Sequence, residues 1–318
     1  MWKKLTIVIL ISMSFLFLAE KGSDYLIKRY PKLKSSYITQ AQMKADILII
    51  GACEAEMMLS PKMFDSATGY KTYNLGEVGT RFADNYLYLH QYLKYQKHPK
   101  YVVLHISPES FYHVDNKLLT TYKHEAFLSD TLVYNVIKEL DPEYINFSNI
   151  PFLKYSFYNI FTLYKILDAA GSNAINKKSP HSIDGFSPPS LSDTAINSQS
   201  LLAKVYGYKW NKVEEKFFLK IITLCKDNDI KLVLYKLPTY KGYYDANVEL
   251  SKYDDKIVQL ASKYQLPYFT YDTSTLTTDY KNFFLLSNNL LSLKAIPTFN
   301  NMLIQDLKDN VFNQNLNK

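Results

Sequence analysis

The sequence predicts an α/β domain, with helices packed on a parallel sheet. Three observations predict it. Residues 46–51 run unbroken and apolar through Ile47-Leu48-Ile49-Ile50 and stop at Gly51, the pattern of a strand buried on both faces. Four further short apolar runs follow it. Stretches with helical spacing separate the runs, which is the rhythm of strand–helix–strand units.

The elements follow in order. After the strand at 46–51, a helical stretch extends through Met63. Residues 71–76, Lys-Thr-Tyr-Asn-Leu-Gly, form a second strand ending in a turn. Residues 83–94 are helical, with Leu87, Leu89, Tyr92 and Leu93 recurring on the apolar side. Residues 101–106 are a third strand, closed by Pro108. Regularity is lost over 107–206, which reads as one insertion with short helical patterns at 128–140 and 152–169 and a loop at 171–200. The rhythm resumes with a helix at 213–228, a strand at 230–235 ended by Pro238, a helix at 248–264, a strand at 266–271 and a last helix at 292–311. Ligands of such sheets sit at the carboxyl ends of the strands, so the residues just after each strand are the informative ones.

Composition narrows the function. The chain has 318 residues, 47% of them hydrophobic and 21% charged, enough to bury a core. It has only 9 glycines and carries neither GxGxxG nor GxxxxGK[ST], which excludes nucleotide binding through those loops. The net charge of +7 suits an anionic surface or polymer, or plain solubility; the lysines are dispersed, so no nucleic acid is expected. Cys53 and Cys225 make no zinc spacing, and the six His form neither HExxH nor HxxxH, so no metal and no cofactor is expected. Cys225, in an apolar helical stretch, reads as core.

The N-terminus bears on location. Met-Trp-Lys-Lys precedes an apolar run over residues 5–19. Fifteen helical residues span about 22 Å, short for a hydrocarbon core of about 30 Å and typical of an export signal. Residues 1–22 therefore read as a membrane anchor, a signal, or both. Ala19 suits a cleavage site, but Phe17 two positions earlier is bulky, which argues for an uncleaved anchor. Lys21, Lys28, Arg29, Lys32 and Lys34 after the run count toward a cytoplasmic domain, while the very short leading tail counts toward export. Residues 23–44 read as a juxtamembrane helix broken by Pro31, or as an ordinary linker; residues 45–318 are the α/β domain.

Residues 45–56, Ala-Asp-Ile-Leu-Ile-Ile-Gly-Ala-Cys-Glu-Ala-Glu, resemble the first motif of the SGNH/GDSL-type hydrolases, whose strand ends in Gly-x-Ser with the nucleophile opening a helix. The Tyr73-Asn74-Leu75-Gly76 turn is similar to their second motif. Element order agrees over 46–106 and 213–307. The likeness is greatest to the membrane-anchored members found beside membrane-bound O-acyltransferases, which Asp184-Gly185-Phe186 and the prolines after it also resemble. The resemblance implies a flavodoxin-like parallel sandwich, a nucleophile position at Cys53, and oxyanion or binding roles for Gly76 and Asn74. It also marks departures. Ile106-Ser107-Pro108-Glu109 replaces the block that carries the family's oxyanion Asn. Ser287 and Leu290 stand where the family has its Asp and His.

A serine of this type needs a positioned base, and fixed N–H donors for the oxyanion. A thiol needs the base less, since a helix start lowers its pKa. Cys53 is therefore either a small buried residue at an abandoned site or a reactive thiol. His105, at the end of the third strand, is the candidate base, with Glu109 as its orienter; a structural His is the alternative. His181 and Asp184 lie in the insertion loop. Glu54 and Glu56 read as stabilising the helix start. Tyr86, Tyr88, Tyr92, Tyr95, Tyr155, Tyr158 and Tyr164 would line a sugar-stacking groove, or reflect a composition of 28 tyrosines.

Two functions remain from this reading. One is a catalytically degenerate, membrane-anchored, extracytoplasmic partner of a membrane-bound O-acyltransferase that handles a cell-envelope polysaccharide. The other is an active acyltransferase or esterase using Cys53.

Overall fold

The computed structural model describes residues 2–30, 33–40, 43–112, 118, 120–157, 160–174, 184–189, 209–239, 249–271 and 291–313. The chain divides into two compact units. One comprises Met1–Gln42, Lys94–Gln96 and Asn116–Ser182; the other comprises Met43–Leu93, Lys97–Asp115 and Ile183–Lys318. The N-terminal helix and the juxtamembrane segment thus group with a helical insertion narrower than the expected 107–206.

The larger unit holds one sheet of five parallel strands: β1 (Ile47–Ile50), β2 (Thr72–Asn74), β3 (Tyr101–His105), β4 (Lys231–Tyr235) and β5 (Tyr268–Phe269). Their spatial order is β2-β1-β3-β4-β5, the flavodoxin-like order, all neighbours parallel. The register pairs Ile49 with Asn74 and with Val103, and His105 with Tyr235. Every residue of β1 and β3 is buried, as unbroken apolar strands inside a two-sided sandwich must be.

Alternate strand residues face opposite sides. Ile47, Ile49, Tyr101, Val103, Val233 and Tyr235 share one core with Met58, Phe64, Phe299, Leu303 and Leu307. Toward the other side, helix Lys212–Asp227 packs on β4 and buries Phe217, Phe218, Ile221 and Cys225. Phe82 and Tyr86 of the neighbouring helix pack on Phe218 and Phe217. Asn211 caps Lys212–Asp227, accepting from the amides of Val213 and Glu214.

Several boundaries differ from the sequence pattern. The helix expected to continue through Met63 is two helices, Cys53–Met58 and Pro61–Thr68. Leu59 is extended between them, and Pro61 opens the second, where its missing N–H costs nothing. The last helix, Ala295–Leu307, widens into a π-helical turn, Lys308–Phe312. β5 is only two residues long, at the sheet edge.

The smaller unit is helical. Helix Trp2–Ile27 runs well past Ala19; its 26 residues span about 39 Å at ~1.5 Å each, and its apolar side chains up to Leu18 are largely exposed. It is long and apolar enough to cross a membrane or serve as a signal anchor. Helix Lys34–Gln40 follows; Pro31 and Lys32 lie outside the described residues. The insertion contributes helices Thr131–Leu140, Pro142–Ser148, Leu153–Phe157 and Ile160–Ala174. Asp130 and Asp141 cap the first two. Ile160–Ala174 carries a helix through Gly171, where a loop was expected.

Candidate functional site

The carboxyl ends of the strands bring together Cys53, Glu54, Asn74, Gly76, His105, Ser107, Glu109 and Lys236. The turn after β1 is shaped by Gly51. Its φ is +147°, and a Cβ there would lie 2.8 Å from the Ala55 Cβ and 2.9 Å from the His105 Cβ. Only glycine lets the strand break this sharply against both. Gly51 N–H donates to Asn85 Oδ1 at 3.1 Å, and its carbonyl accepts from Thr80 Oγ1 at 2.9 Å, which fixes the turn from helix Phe82–Tyr95 and the segment leading into it.

Cys53 opens helix Cys53–Met58, as expected, and is half-buried and free. Its thiol donates to Glu54 Oε2 at 3.3 Å. Burial pushes the thiol pKa far above its ordinary value, and the negative charge of Glu54 pushes it further. The helix start was expected to activate this sulfur; burial and Glu54 outweigh it, and the thiol stays protonated at neutral pH. Glu54, read from the sequence as stabilising the helix start, also accepts a hydrogen bond from the thiol. Glu56 does brace the local backbone, accepting from Val78 N–H at 2.8 Å.

Asn74 is a staple. Its side chain donates to the carbonyls of Ala55 at 2.7 Å and Leu59 at 2.9 Å, and Asn74 Oδ1 accepts from Gly76 N–H at 2.9 Å. The amide that would serve an oxyanion is therefore already engaged inside the turn. Residues 184–187 close over this edge. Asn74 N–H donates to Asp184 O at 2.8 Å, and Ser187 N–H to Glu56 O at 3.2 Å. Gly185 has φ +77°, and a Cβ there would meet Asn74 O at 1.9 Å.

His105 is 4% exposed at the end of β3, with its ring 5.3 Å from that of Tyr235. Burial lowers its pKa, Glu54 opposes that, and Lys236 adds to it. The ring is neutral at pH 7, but the bond from Cys53 goes to Glu54 and not to His105. Glu109 does not orient the imidazole; its carboxyl interacts with Ser107, and burial raises its pKa. The base–orienter pair expected from His105 and Glu109 is therefore not assembled.

Lys236 is the residue that sequence reasoning passed over. It follows β4 directly and forms a two-oxygen pair with Asp254, at 2.8 and 2.7 Å. Its signal was its position at a strand's carboxyl end. Nearby, the buried hydroxyls of Tyr235 and Tyr268 have no hydrogen-bond partner among the described residues. No cluster of three or more metal-ligating side chains occurs among the described residues.

Ser287, Leu290, His181 and Tyr158 lie outside the described residues. The chain resumes at Leu291, whose N–H contacts Met58 Sδ at 3.1 Å. Of the tyrosines named for a sugar-stacking groove, Tyr88, Tyr92 and Tyr155 are fully buried and line no surface. Tyr92 instead donates to Met43 O at 2.8 Å.

No family model matches the chain, and no curated protein matches it. Several solved structures are similar, two of them described as of GDSL type. A GDSL-like lipase from Bacteroides thetaiotaomicron is 11% identical, covering 90% of this chain and 98% of its own, at a TM-score of 0.39. A protein from Desulfitobacterium hafniense described as lipolytic and of the G-D-S-L family is 9% identical, covering 82% and 98%, at 0.38. An acylhydrolase by its description, from Bacteroides fragilis, is 12% identical, covering 86% and 94%, at 0.39. At these scores the likeness adds nothing to the strand order described above.

Proposed function

We propose that the chain is a membrane-anchored, extracytoplasmic SGNH-like protein that does not itself carry out acyl transfer. It acts as a partner or glycan-binding component in O-acylation of a cell-envelope polysaccharide, beside a membrane-bound O-acyltransferase. One observation carries the silent half of this reading. The thiol at the nucleophile position is held protonated by burial and by Glu54, and donates to that same carboxylate. Acyl transfer needs the thiolate. The engagement of Gly76 N–H by Asn74 supports the same conclusion, since an oxyanion would have to break that bond. The partner, the polymer and the orientation across the membrane rest on the sequence resemblance and the N-terminal helix.

The test is genetic and chemical together. Deleting the chain in its host should abolish O-acylation of the envelope polymer, read as ester content of the purified polymer. Complementation with Cys53→Ala should restore it fully. A Cys53→Ala protein that accumulates normally yet leaves the polymer unacylated would overturn the reading and favour an active Cys53 acyltransferase.

A further inference from the structure

We propose that the turn at residues 150–153 is a lipid-contacting foot, inserted at the headgroup–acyl boundary beside the N-terminal helix. The inference rests on the reading of that helix as a membrane anchor, and concerns the helical unit alone.

The height of the turn is fixed by hydrogen bonds. Glu20 is the first charged residue after the apolar stretch, so it marks where the chain leaves the hydrocarbon. Phe152 N–H donates to Glu20 Oε2 at 2.7 Å. Lys154 Nζ bridges Glu20 Oε1 at 3.0 Å and Asp24 Oδ1 at 2.8 Å, and is itself buried. Tyr155 OH also donates to Asp24. These contacts clamp residues 152–155 to one side of the helix, over the single turn from Glu20 to Asp24.

The turn is then level with the membrane surface, and it presents an apolar side chain there: Ile150 is 50% exposed, followed by Pro151 and Phe152. Phe152 is held at φ +68°, a conformation that a bulky residue adopts only when its surroundings impose it. Lys21, exposed one position beyond Glu20, lies where an ammonium reaches lipid phosphate. An exposed isoleucine in water is unremarkable alone. Placed at the exit of an apolar span, it continues the surface that lipid already covers.

Leu167 supplies the contrast. It is 72% exposed on the same unit, but its neighbour Asp168 is bonded by Tyr30, beyond the end of the helix. That bond places Leu167 farther along the chain from the apolar stretch than residues 152–155, so the proposal puts it in water.

The test uses the full chain, carrying Cys53→Ala and Cys225→Ala, in phosphatidylglycerol/phosphatidylcholine vesicles. Single cysteines from Ile150→Cys, Leu167→Cys and Leu10→Cys are labelled with an environment-sensitive fluorophore. Lipids with a spin label near the headgroup, and aqueous iodide, serve as quenchers. The proposal expects the label at 150 to be blue-shifted, quenched several-fold more by the lipid than that at 167, and shielded from iodide. Quenching at 10 but not at 150 overturns the foot and leaves the anchor standing. No lipid quenching at 10 overturns both.

Discussion

Cys53 Sγ lies 3.3 Å from Glu54 Oε2, its neighbour in sequence, and donates its proton there. A residue at the start of a helix is expected to have an acidified thiol. Here burial and the adjacent carboxylate reverse that, and the thiol pKa is raised rather than lowered.

Thiol reactivity should report this directly. Alkylation of Cys53 by iodoacetamide at pH 8 should run at least about 100-fold slower than that of a free thiol, because the thiolate is the reacting species. Glu54→Gln should accelerate it, about tenfold, by removing one of the two causes of the shift. Intact mass over time measures both rates.

The same shift makes stability fall in base. The folded thiol pKa is raised, so above the unfolded value of ~8.5 the unfolded chain loses a proton that the native state keeps. The stabilisation is complete below that pH and is lost progressively as pH rises above it toward the raised folded value. Cys53→Ala should flatten the fall in urea midpoint between pH 8 and pH 10.

Asn74→Ala removes a buried side chain with three hydrogen bonds, at roughly 1 kcal/mol each, and should cost about 3 kcal/mol. Gly185→Ala places a Cβ against Asn74 O at a positive φ and should cost about 2–3 kcal/mol. Urea unfolding of both variants checks the two values. An unchanged midpoint for Asn74→Ala would mean that its three side-chain bonds do not hold the turn, and one for Gly185→Ala that residues 184–187 do not cover this edge.

In the helical unit, Lys154→Met leaves Asp24 and Glu20 without their buried cation and should cost about 3–5 kcal/mol. Limited proteolysis of the full chain in detergent would show faster cleavage within residues 120–174. Glu125 adds a pH dependence. Burial, the largest cause, pushes its carboxyl up to about 8. The native state then holds a proton that the unfolded chain releases above ~4.3, so stability falls as pH rises toward 8, by at most about 1.4 kcal/mol per unit. Glu125→Gln should stabilise more at pH 7.5 than at pH 5.

The sheet was legible in the sequence because its strands are buried on both faces and read as unbroken apolar runs. Cys53, His105 and Lys236 all sit just after or at strand ends, so their neighbourhood was legible too. Their connections were not. Nothing in the sequence says that the Cys53 thiol points to Glu54, or that Asn74 consumes Gly76 N–H, since both depend on side-chain direction within a turn. The insertion misled for a related reason. Its helices are short and capped by Asp130 and Asp141, and the pairing of Lys154 with Asp24, 130 residues apart, leaves no periodic trace.

The most direct test of the proposal that Cys53 does not carry out acyl transfer uses the full chain in detergent beside its Cys53→Ala variant. Both are incubated with an activated acetyl ester, and product release and intact mass are followed together. The account predicts no Cys53-dependent adduct and no turnover above the variant at pH 7.5. An acetyl adduct on Cys53 that turns over and disappears in Cys53→Ala would contradict it.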